Sequence, residues 1–174
     1  MLLQYNKIMS KLRLHIANAN QTFTDAEIAI FKNTAQQAET FISSEFAQFD
    51  YEVDVIIATP SFMLPTIAED GIAGKTLHSR LIMISVDKSQ HGVSEDFIFE
   101  TICHEMSHSL RWEKLPEYAE TMFDGMILEG LAVALEEEAM IKLGRRNQQF
   151  FLREIQKTTS QAEIDKIIAA LQGN

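Results

Sequence analysis

Within residues 101–112 stands the run His104-Glu105-Met106-Ser107-His108. On a helix, two histidines four positions apart project from one face about one turn from each other, the spacing at which two imidazoles share one small cation. Glu105 directly follows the first histidine and precedes the second by three. Its carboxylate therefore reaches the rim of the same face, where a metal-activated water would need a base. A third ligand is what turns such a pair into a site, and Leu128-Glu129-Gly130-Leu131-Ala132 offers one. Glu129 follows His108 by 21 positions, room for a loop and a returning helix. Two histidines and a glutamate with one coordination position left open form a catalytic zinc donor set. Imidazole and carboxylate favour zinc, one ion per chain, although such ligands also accept cobalt, nickel or manganese.

These side chains need two helices to carry them. Ser94-Glu95-Asp96-Phe97 is a helix start with acidic residues in its first turn, and the helix it opens runs to about Trp112. Phe97, Ile98, Ile102, Met106 and Leu110 give that helix a buried side, while His104, Glu105 and His108 emerge on another. Cys103 adjoins a ligand in sequence but lies about 100° from it around the helix, which marks it as packing and not as a ligand. Arg111 sits near the C-terminus, where the helix dipole favours a cation. Leu115-Pro116 opens the second helix, with proline at a first helical position, and this helix continues to about Leu143. Gly125 and Gly130 flank Glu129, and small residues there would let the helix approach its partner closely. Glu136, Glu137 and Glu138 read as a solvated acidic face.

The pattern H-E-x-x-H-x-x-R-W, followed by Asp124 and by Glu129-Gly130-Leu131-Ala132, resembles a family of predicted zinc-dependent proteases of otherwise unassigned function, within the thermolysin-like gluzincin group. The resemblance covers roughly residues 70 to 140. It implies that His104 and His108 are zinc ligands, Glu105 the catalytic base and Glu129 the third ligand. It also implies that the strand before the motif helix forms a sheet edge that binds extended substrate by strand addition. Thr76, Leu77, His78, Ser79, Arg80 and Leu81 are the candidates for that edge. The resemblance also implies that Arg111, besides its place at the helix end, holds a carboxylate near the site. Thermolysin-like proteins place an aspartate four residues after the glutamate ligand, and Val133 stands there instead. Asp124 is then the candidate for supporting the ligands from behind.

The reaction these residues imply is zinc-assisted hydrolysis of a peptide bond in a peptide or protein substrate. Glu105 would take a proton from water and hand it to the leaving amine. Gluzincins draw an oxyanion donor, Tyr or His, from beyond the third ligand, and this chain has neither after residue 118. His78, Tyr118, Arg111 and Arg145 are the candidates that remain. A binding or structural domain that keeps the metal as a clamp without catalysis is the alternative. An H-E-x-x-H that is only a helical surface pattern is a third possibility.

The remaining chain reads as scaffold. Residues 11–17 alternate, with Leu12, Leu14 and Ile16 on one side of a strand and Arg13 and His15 facing solvent. Thr24-Asp25-Ala26-Glu27 is a capping box for a helix to about Phe49, with Ile28, Phe31, Ala35, Ala38 and Ile42 as its apolar stripe. Residues 51–58 form an interior strand, residues 61–75 an irregular loop placed over the cleft, and residues 76–86 a third strand. Arg145-Arg146 and Ser160-Gln161-Ala162-Glu163 open two further helices.

At 174 residues and 46% hydrophobic, the chain suits a single domain, 1–174, with a real core. The expected class is α+β: a zincin-like fold with a small mixed sheet of about three to four strands, packed on an N-terminal helix and the motif helix, then a C-terminal helical part. A formal charge of −10 argues against nucleic acid and against an anionic membrane surface as partners. One cysteine permits no intrachain disulfide and fits a reducing compartment. No basic leader with an apolar run and no span-length apolar window is visible, so the cytoplasm is the expected location.

Overall fold

The computed structural model describes residues 10–60, 71–114 and 119–146, with the side chains of residues 90 and 91 excepted. Two compact units divide the chain, residues 1–117 and 118–174. The first carries β1 (Leu12–Ile16), α1 (Asp25–Glu45), β2 (Val53–Ala58), β3 (Ile72–His78), β4 (Leu81–Val86), the single turn α2 (Lys88–His91) and α3 (Glu95–Trp112). The second carries α4 (Met122–Lys142). The class is α+β, as expected, and the mixed sheet has four strands in the order β1-β2-β4-β3.

β1, β2 and β4 run parallel, and β3 closes the row antiparallel to β4. Alternation decides the faces. Val53, Val55 and Ile57 of β2 and Ile82, Ile84 and Val86 of β4 are buried, and α1 and α3 pack against one another and on the sheet. Each fully buried Ile or Val contributes about 1.5–3 kcal/mol over its exposed state. On the β1 edge, Glu39 of α1 accepts hydrogen bonds from the Lys11 amide at 2.9 Å and from the Ser10 hydroxyl at 2.5 Å. The start of β1 is thereby tied to the helix.

α1 begins at the expected capping box. The Thr24 hydroxyl accepts from the Glu27 amide at 3.3 Å, and Glu27 Oε2 accepts from the Thr24 amide at 2.7 Å. The helix stops at Glu45 and not near Phe49. Phe46 caps it on Ile42, and a tight turn from Phe46 to Phe49 follows. Phe49 is still buried, its ring set edge-on to that of Tyr51 with centroids 5.1 Å apart.

The strand expected over residues 76–86 is two strands. His78-Ser79-Arg80 is a polar break inside an otherwise strand-forming run, and the chain reverses there. Residues 72–75, expected in a loop, belong to β3, whose pairing shifts register between Thr76 and His78. Residues 61–70 of the expected loop lie outside the described residues, as do Tyr118 and the helices expected after Arg146.

In the second unit α4 starts at Met122, while Pro116, expected at the helix start, lies outside the described residues. Thr121 supplies the N-cap, completed by Asp124. At the other end Gly144, at φ +69°, ends the helix, and the Arg145 amide returns to the Met140 carbonyl at 2.9 Å. This is the left-handed closing turn for which glycine is suited. A methyl built on Gly130 meets nothing within 4 Å, and one on Gly125 meets only Ala119 Cβ at 3.8 Å. The acidic run is not uniformly solvated either: Glu137 is buried and paired with Arg146, whereas Glu138 pairs with Lys142 at 2.9 Å on the helix surface. Among the described residues, no helix is long and apolar enough to cross a membrane.

Candidate metal centre

α3 presents the two histidines as their spacing requires. His104 Nε2 and His108 Nε2 stand 3.4 Å apart, and the ring centroids are 5.2 Å apart. That separation is long for a hydrogen bond between imidazoles. Two nitrogens, each about 2.0–2.1 Å from a tetrahedral zinc, stand roughly 3.3–3.4 Å from one another. The donor pair therefore fits the ion in both chemistry and spacing.

Ser94 starts this helix by accepting from the Phe97 amide at 3.3 Å. Ile98, Phe99, Ile102, Cys103 and Met106 are fully buried along one side. That anchoring fixes the helix's rotation, and with it the direction of the histidines. Cys103 is packing, as its angular position implied.

Glu105 departs from the expected rim position. It is buried at 6% exposure, turned toward β3, where Thr76 Oγ1 lies 2.7 Å from its Oε2 and 2.9 Å from its main-chain oxygen. Burial pushes its carboxyl above the usual carboxylate range, against the lowering effects of the Thr76 hydrogen bond and of His104 and His108. β3 comes this close because residue 74 is glycine. A Cβ there would stand 2.6 Å from Glu105 Cγ and Oε1 and 2.8 Å from Thr101 Cγ2.

Arg111 lies one turn on. It donates to the Ser107 hydroxyl at 2.5 Å and approaches His108 Nδ1 at 3.1 Å. A guanidinium offers only donors, so a hydrogen bond here requires Nδ1 to accept.

The candidate edge residues divide. Thr76, Leu77 and His78 do lie on β3, the outer strand. Ser79 and Arg80 form the turn, and Leu81 starts β4, which is paired on both sides and so is no edge. The His78 ring lies against Trp112, centroids 5.9 Å apart, with Nδ1 at 3.3 Å from the Ser79 hydroxyl. Ser109 donates to the buried Ser79 carbonyl, and Arg80 pairs with Glu113 at 2.5 Å.

On α4, Glu129 is exposed. Asp124, expected behind the ligands, is engaged at the helix start: its Oδ2 accepts from the Thr121 amide at 2.9 Å and hydroxyl at 2.8 Å. Those bonds hold its carboxyl below the usual range. The contact that sequence reasoning missed is Thr76 with Glu105, since nothing in either residue's own neighbourhood announces a partner 29 positions away.

A mixed sheet backed by a helix with paired histidines defines a candidate metal-binding unit. Residues 31–173 match the family described as "Predicted Zn-dependent protease (DUF2268)". The match runs over most of the chain, and the chain belongs to that family. No curated protein and no solved structure matches it.

Proposed function

We propose that the chain is a zinc-dependent peptidase of the gluzincin kind, zincin-like across 1–174, in which His104, His108 and Glu129 hold the ion and Glu105 is the catalytic base. The observation that carries the reading is the 3.4 Å convergence of two Nε2 atoms, because it is the separation two ligands of one tetrahedral zinc adopt. Each of the three residues offers one ligand atom, and the set matches zinc in charge and softness. Membership in a family whose described activity is a predicted zinc-dependent protease supports it further.

When bound, zinc supplies Lewis acidity toward water and toward a carbonyl oxygen. The rest is the work of side chains. Glu105 accepts a proton from the attacking water through its carboxylate, holds it while the C–N bond weakens, and delivers it to the leaving nitrogen. A buried carboxyl with a raised affinity for protons suits this exchange, because its proton-binding range is moved toward neutral pH. The β3 edge at Thr76 to His78 is the proposed place for an extended substrate, read through main-chain hydrogen bonds.

Zinc analysis of the purified protein, joined to cleavage of a fluorogenic peptide library, tests the proposal. Wild type is expected to carry stoichiometric zinc and to cleave. Glu105→Gln should keep zinc and lose turnover by about a hundredfold or more, and Glu129→Ala should lose zinc affinity itself. Zinc with unaltered turnover in Glu105→Gln would overturn the role of the base. Zinc without cleavage in any variant would leave a metal clamp.

A further inference from the structure

We propose that Thr76 positions Glu105 for proton transfer and that Gly74, two residues earlier on the same strand, holds open the space its carboxylate occupies. The role rests on the reading of Glu105 as the base. A glutamate side chain has several rotatable bonds, and a base works only within hydrogen-bond reach of its proton. The carboxylate therefore needs a fixed anchor.

Thr76 Oγ1 provides one, at 2.7 Å from Glu105 Oε2 and 2.9 Å from the same residue's carbonyl oxygen. The hydroxyl has a single proton to give, and the shorter of the two contacts is to the carboxylate, so its donation there sets the carboxylate's direction relative to the helix that carries it. Hydroxyl-to-carboxylate bonds of this length are among the stronger ones.

Gly74 supplies an independent observation. Residues two apart on a strand face the same way, so residue 74 meets the same helix as Thr76. An added Cβ would stand 2.6 Å from Glu105 Cγ and Oε1, and 2.8 Å from Thr101 Cγ2. Glu105 is buried and Thr101 is branched at Cβ, so the carboxylate is what must give way. One contact attracts the side chain and one absence of atoms admits it, and both come from β3. Thr76 is a positioning residue, acting on the reaction through Glu105.

The test uses the full chain loaded with zinc, as wild type, Thr76→Val, Thr76→Ser, Gly74→Ala and Glu105→Gln. Valine keeps the shape of threonine without its hydroxyl, and serine keeps the hydroxyl. Zinc content and thermal melting establish that each variant is folded and loaded. Two readouts follow: kcat and KM on a fluorogenic peptide library, and calorimetric affinity for acetohydroxamic acid, which chelates zinc and hydrogen-bonds a carboxylate beside the metal.

Thr76→Val and Gly74→Ala are expected to lower kcat about ten- to a hundredfold with KM little changed, and to weaken acetohydroxamic acid about tenfold. Thr76→Ser should restore both. Should Thr76→Val fail to fold, Gly74→Ala carries the decision. Wild-type turnover and affinity in the folded, zinc-loaded Thr76→Val or Gly74→Ala, with Glu105→Gln impaired, overturns the positioning role and leaves the base standing. If Glu105→Gln matches wild type, the base itself falls and this role falls with it.

Discussion

Glu105 is where local sequence and tertiary structure part company. Its place beside His104 puts it on a helix rim, yet it is drawn inward to Thr76 and pushed by burial above the usual carboxylate range. A carboxyl raised in the folded state contributes stability that is complete below its unfolded value, near 4.5, and lost as pH rises through the folded one. In chelator-treated protein, Glu105→Gln should therefore be more stable than wild type at neutral pH, and the difference should close in acid. Urea melts of the two proteins from pH 4 to pH 8 would show it, and a gap that widens in acid would refute the assignment. The histidine pair was legible because its geometry is local to one helix. The inward turn of Glu105 was not, because it depends on a glycine and a threonine a long way back in the chain. Asp124 was legible as a polar residue near Glu129 but not as a cap, because the helix had been placed from Pro116 and the Thr121-Met122-Phe123-Asp124 box lay inside it.

Among the elements, the capping box at Thr24, the start of α3 at Ser94 and the closure of α4 at Gly144 stand where the sequence put them, since each is a local signal of one to four residues. The break between β3 and β4 was missed for a physical reason. His78-Ser79-Arg80 is short, and the β-branched and aliphatic residues on either side are equally content in one long strand or two short ones. What commits the chain to a turn is the helix beneath: Ser109 donates to the Ser79 carbonyl, and both residues are buried. Ser109→Ala would leave that carbonyl without its donor and should cost about 1–3 kcal/mol. A denaturant midpoint that does not move would show that the turn is fixed by other contacts.

For the whole molecule, composition and periodicity were enough for the α+β class and a mixed sheet, because buried parallel strands and amphipathic helices leave different periods. They could not give strand order, which depends on pairings across intervening elements. Metal should act on the molecule as a ligand of its folded state. At free zinc about a hundredfold above Kd, the stabilisation is roughly 2.7 kcal/mol, and for a chain of this size melting should rise by roughly 5–10 °C. Chelation should reverse the shift, as scanning calorimetry would record; an unchanged melt would argue against a zinc site in the native state. Three ties join the β3–β4 hairpin to α3 at intervals of about a turn, Thr76 to Glu105, Ser79 to Ser109 and Arg80 to Glu113, and the His78 ring lies against Trp112 beside the last of them. Sliding the helix along the strands would sever them together, so strand and helix travel as one stiff plate. Any breathing motion of this unit has its cheapest pivot somewhere other than this seam.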